Sequence, residues 1–124
     1  MQPLRSKTDK AQMFYDAWRL YSGCDIMPVA EYKFASAVGY IDTSGKPRRR
    51  NYRFDYVFVD ERVAVEVDGG QFAPGGGRHA TDKDREKQNC AAMLSYSVFH
   101  FSPKMLTNDP LHCVEQVRMA VIGR

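Results

Sequence analysis

No apolar run in this chain approaches the length of a membrane span, and the N-terminus lacks the hydrophobic stretch of a signal peptide. A soluble cytoplasmic protein is therefore expected, with no membrane partner. Cysteine is scarce: Cys24, Cys90 and Cys113 are odd in number and far apart, which argues against a disulfide framework and against a zinc site of closely paired ligands. Glycine is plentiful around Gly69-Gly70 and Gly75-Gly76-Gly77, yet no Gly-Lys-Ser/Thr follows, so a nucleotide-binding P-loop is excluded. Internal repeats and low-complexity tails are absent as well. The net charge is only +3, too small to define a partner by itself.

What is present is enough for one core. With 124 residues, 44% of them hydrophobic, the chain reads as a single domain over 1–124, with an N-terminal helical segment (1–28) leading into the body (29–124). From Thr8 to Tyr21, Ala11, Phe14, Tyr15, Trp18 and Tyr21 recur at helical spacing, and Gly23 is a stop signal. Glu31 to Ile41 reads as a strand, followed by the turn composition of Asp42 to Pro47. Tyr52 to Val59 and Arg62 to Asp68, joined by Asp60-Glu61, read as an antiparallel hairpin and complete a three-strand meander. Gly69 to His79 is too rich in glycine and proline for regular structure and suits a mobile flap. A helix capped by Thr81 or Asp82 should run to about Ser95, a strand from Ser97 to Phe101 should join the sheet by crossover, and Pro110 to Val121 should form a closing helix. The fold class expected is α/β (α+β), a central mixed sheet flanked by helices.

The chemistry concentrates on the hairpin. Strand alternation puts Glu66 and Asp68 on one face while Val63, Val65 and Val67 pack on the other, and Asp55 lies on the neighbouring strand. Carboxylates crowded together are unfavourable unless a cation sits among them, so a hard divalent ion, magnesium or manganese, is the expected companion of Asp55, Glu66 and Asp68. Such an ion could activate a water and neutralise charge on a phosphate. Lys46, Arg48, Arg49, Arg50 and Arg53, interleaved with Tyr52 and Phe54, form a basic cluster that fits a phosphate backbone as well as it fits a solvated turn.

Asp55, the run Val63-Ala64-Val65-Glu66-Val67-Asp68-Gly69-Gly70, His79, Asp84 to Asn89 and Val98-Phe99-His100-Phe101 together resemble the PD-(D/E)XK nuclease superfamily. The likeness is greatest to its small branch related to very-short-patch repair endonucleases and to phage and bacterial nucleases of that type. It spans about Glu31 to the C-terminus. It implies a restriction-endonuclease-like core, dependence on Mg2+ or Mn2+, and hydrolysis of phosphodiester bonds in DNA, with structured, branched or damaged DNA as the natural substrate of so small a domain. It also implies a cytoplasmic setting in a bacterium or a phage-infected host. Asp55 matches the first motif acid and Glu66 the second, while Phe54 stands where the superfamily name has proline.

Asp68 stands where the motif lysine belongs, and an aspartate can bind metal or accept a proton but cannot stabilise phosphorane-like charge. Lys87 on the following helix is the leading replacement and Lys83, one turn earlier, the reserve. His79 is the candidate for proton transfer or phosphate contact, Arg78 for backbone contact, and Glu31 for a further acid. His100, between Phe99 and Phe101, reads as structural, and His112 as surface or packing. The competing function is a nuclease-like module that binds DNA or protein without chemistry. A homodimer would suit double-strand cleavage, with Phe14 and Trp18 as one interface, although a core role for that face is favoured.

Overall fold

The computed structural model describes residues 9–68 and 81–123. Helix α1 (Asp9–Tyr21) leads into strand β1 (Val29–Tyr32), the short strands β2 (Gly39–Ile41) and β3 (Pro47–Arg49), and the hairpin β4 (Phe54–Phe58) and β5 (Val63–Val67). Helix α2 (Asp82–Met93), strand β6 (Ser97–Phe101) and helices α3 (Pro103–Asn108) and α4 (Pro110–Ile122) follow. The result is a mixed α/β protein, and none of its described helices is long and apolar enough to cross a membrane.

The main sheet has the order β1-β4-β5-β6. β4 runs antiparallel to both β1 and β5, as the expected meander required, and β6 adds parallel to β5 after the α2 crossover. Two differences from the sequence expectation stand out. Glu31 to Ile41 is not one strand, because Phe34 and Ala35 turn inward as core residues and split it into β1 and β2. β2 then pairs with β3 in a separate ribbon, which takes Pro47, the last residue of the expected turn, into a strand with Arg48 and Arg49. The second difference is α3, nucleated by Ser102, whose side chain accepts a hydrogen bond from Met105 N–H, and by Pro103 in the first turn.

Both faces of the sheet are covered. On one, Phe14 and Trp18 of α1, Leu106 of α3 and Val114 and Val117 of α4 enclose Tyr56, Phe58, Val63, Val65 and Phe101. Trp18 is fully buried, stacks edge-on to Phe58 at 4.8 Å, and donates its indole N–H to the carbonyl of Ile26 at 2.8 Å. Phe14 and Trp18 are thus core residues. On the other face, Cys90 and Ala91 of α2 pack with Phe34, Ala35, Phe54, Val57 and Ala64.

Candidate active site

The strand registers align four ionisable side chains across the four strands. Glu31 lies between the paired residues Ala30↔Tyr56 and Tyr32↔Phe54, which sets it against Asp55. Continuing the β4–β5 register one step beyond Tyr56↔Val65 sets Asp55 against Glu66, and Glu66 is paired with His100 on β6. The row therefore reads Glu31, Asp55, Glu66, His100.

At Asp55 and Glu66 the backbone ladder gives way to side chains. Glu66 Oε2 accepts the Asp55 N–H at 2.9 Å, and Asp55 Oδ2 accepts the Val67 N–H at 2.8 Å. Each carboxylate is fixed by one oxygen, which leaves Asp55 Oδ1 and Glu66 Oε1 without a hydrogen bond among the described residues. A bend in the neighbouring strand accompanies this departure. Glu31 has φ 55°, a left-handed conformation that interrupts the pleat, and Tyr32 consequently joins Phe54 on the α2 side rather than following Ala30 to the other.

α2 supplies the cation. Thr81 caps it, with Thr81 Oγ1 accepting from Asp84 N–H and Asp84 Oδ2 accepting from Thr81 N–H. Helical spacing then puts Lys87 on the same face as the buried Ala91, and Lys87 Nζ reaches Glu66 Oε2 at 3.3 Å while lying 4.5 Å from the centre of the Phe54 ring. The Lys87 and Glu66 side chains are 19% and 17% exposed, so this pair is only weakly screened by water. Lys83 is exposed. Of the two candidate lysines, Lys87 is the one ion-paired with Glu66 among the described residues.

Electrostatics at the row are strained toward the neutral acids. Burial raises the pKa of Asp55, with the Glu31 and Asp68 charges adding to it, and the Val67 N–H and Lys87 oppose the rise without cancelling it. Burial likewise raises Glu66, and the nearby Asp55 charge adds while Lys87 opposes. Two part-buried carboxyls that ionise reluctantly, each with an oxygen outside these hydrogen bonds, form a donor set that a hard cation would relieve.

Asp68 is placed differently. Its backbone N–H donates to Phe101 O at 2.9 Å, and its Oδ2 lies 3.0 Å from His100 Nδ1. That hydrogen bond, with the charges of Asp68 and Glu66, raises the His100 pKa against the opposing effects of burial and Lys87. Among the described residues, no group of three or more His, Cys, Asp or Glu side chains is arranged to hold a metal ion. Asp55 and Glu66 are the adjacent pair. Hard ions of the magnesium type are commonly held by one or two carboxylates with waters and substrate oxygens completing the shell, so two acids remain a sufficient protein contribution.

His100 lies in register with Glu66 and 3.0 Å from Asp68, a placement that its sequence context did not suggest. The available signal was its position opposite Phe99 and Phe101 on the alternating strand, but only the parallel β5–β6 register reveals that this face carries Glu66. His112 is exposed and lies 3.2 Å from Gln116 on α4.

The basic cluster is largely engaged with the protein itself. Arg48 pairs with Asp42 at 2.7 Å, and Arg49 donates to the carbonyls of Ser36 and Ala37. Arg50 pairs with Glu86 and covers the Tyr40 ring at 3.6 Å, while Arg53 lies 3.6 Å from Glu31. Lys46, at the turn of the β2–β3 ribbon, is exposed. Arg78, His79 and the expected flap fall outside the described residues.

Comparison with protein-family models, with curated proteins and with solved structures finds no match in any of the three.

Proposed function

We propose that the protein is a divalent-metal-dependent endodeoxyribonuclease with a restriction-endonuclease-like core. The observation that carries this reading is the convergence of Lys87 on Glu66 beside Asp55: two part-buried acids and one cation from the crossover helix. Asp68 stands where the motif would have a lysine, and α2 instead brings Lys87 to Glu66. The order helix, three antiparallel strands, helix, parallel strand also agrees with such a core.

Asp55 and Glu66 would hold Mg2+ or Mn2+, which supplies Lewis acidity and a lowered pKa for bound water. Lys87 would sit where negative charge grows on the scissile phosphate and stabilise it more in the transition state than in the ground state. His100, made more basic by Asp68, would add a second positive charge along the same row. The exposed Lys46 of the β2–β3 ribbon, with Arg48, whose pairing with Asp42 leaves much of its side chain in solvent, would contact the backbone. A domain this small has little surface for extended base readout, so the shape of branched or damaged DNA is the more natural target.

The deciding experiment incubates the protein with supercoiled, single-stranded and branched DNA in Mg2+, Mn2+ or chelator. Metal-stimulated cutting is expected. Asp55→Ala and Glu66→Ala should abolish it while DNA binding persists, and Lys87→Ala should lower kcat roughly 10²–10³-fold, the usual cost of losing a group that stabilises transition-state charge. A thermal scan gives a readout without cutting: saturating Mn2+ should raise the melting temperature of the wild type and leave Glu66→Ala unmoved. Absence of cutting on every substrate, with no metal-induced shift, would leave a binding module instead.

A further inference from the structure

Glu86 immediately precedes Lys87, and neither the acids nor the expected phosphate contacts account for it. Its two oxygens reach two residues at the foot of the arginine-rich ribbon. Oε2 is ion-paired with Arg50, and Oε1 accepts the Tyr52 hydroxyl at 3.1 Å. Arg50 is itself tied to the ribbon, because its N–H donates to Val38 O at 2.9 Å and its guanidinium lies over Tyr40 of β2. Successive residues on a helix point about 100° apart, which follows from 3.6 residues per turn. Glu86 therefore faces the ribbon while Lys87 faces Glu66.

We propose that Glu86 is a positioning residue that locks the basic β2–β3 ribbon to α2, so that DNA held by the ribbon is presented in register to Lys87. The inference rests on the nuclease reading and adds a coupling to it. Arg50 is thereby assigned to architecture rather than to phosphate contact, since its charge is already matched by Glu86 and its plane by Tyr40. Tyr52 shares the duty. Burial and the Glu86 carboxylate raise its pKa, so its hydroxyl stays protonated and remains a donor to Glu86 near neutral pH.

A positioning role makes a split prediction. Glu86→Ala removes one negative charge from a surface that approaches phosphate, so duplex affinity, measured without metal, should hold or tighten. The same change releases the ribbon from α2, and kcat should fall about 10- to 100-fold, since misplacement by about an ångström can cost two orders of magnitude. Tyr52→Phe, which removes a single hydroxyl, should show a smaller kcat loss with unchanged KM, and it carries the test if Glu86→Ala fails to fold. The exchanged pair Arg50→Glu with Glu86→Arg should recover kcat to within severalfold of the wild type.

An unchanged kcat in Glu86→Ala and Tyr52→Phe would overturn the inference while leaving the nuclease intact. Weakened binding in step with kcat, or no recovery in the exchanged pair, would also overturn it. A wild-type protein that cuts no DNA would remove the nuclease reading and this coupling together.

Discussion

Asp55 is a charge held where burial resists it. Its pKa is raised in the folded chain, mainly by burial, so the protonated acid is tolerated and the charged one is resisted. A group whose folded pKa lies above its unfolded value gives its full stabilising contribution below the unfolded value, 3.8 here, and loses it as pH climbs through the folded pKa. Glu66 behaves the same way from its ordinary value of 4.5. Asp55→Asn keeps an oxygen to accept the Val67 N–H and removes the charge. It should therefore melt at higher temperature than the wild type near pH 7, with the difference closing toward pH 3, as followed by circular dichroism. A variant less stable than wild type at pH 7 would mean that the site does not resist ionisation. The closeness of Asp55 and Glu66 was legible as acids on an apolar hairpin; that of His100 was not, because its neighbours in sequence are phenylalanines and its neighbour in space is Glu66.

At the scale of elements, strong local signals survived into the structure and weak ones depended on context. Thr81 forms a reciprocal cap with Asp84, so α2 begins where the sequence indicated. Thr81→Ala should cost about 1 kcal/mol in chemical denaturation, the typical value of a helix cap. Because that cap fixes the start of the helix bearing Lys87, a loss of stability should come with some loss of the proposed nuclease activity. Glu31 to Ile41 shows the opposite case. Its aromatic and β-branched composition suits a strand, yet Glu31 takes a left-handed φ and Phe34 stacks on Phe54 at 4.3 Å. Burial of that ring overrides local preference and breaks the strand. The two three-residue strands that follow are held by pairing with each other, a contact that composition does not announce.

Over the whole molecule, the sheet is buried by two unequal layers. Helices α1, α3 and α4 cover one side, and α2 with the Phe34 turn covers the other. α1 is an integral part of the larger core, so Trp18→Ala should destabilise the protein by about 3–5 kcal/mol, the range for deleting a large buried aromatic. An effect below about 1 kcal/mol at constant protein concentration would contradict that role, and a strong dependence of melting temperature on concentration would point back to an interface between copies.

The sequence by itself determined the sheet-forming hairpin, the three longer helices and the alternation that sets Glu66 apart from its valines, because each of these follows from periodicity or a local cap. Tertiary structure decided the rest. Which strand lies beside Glu66, which lysine reaches it, and whether an arginine faces solvent or Glu86 depend on register and on packing between segments far apart in the chain. Asp68 shows the difference in a single residue: its place two positions after Glu66 is a fact of the sequence, but its pairing with His100 exists only because β6 runs parallel to β5.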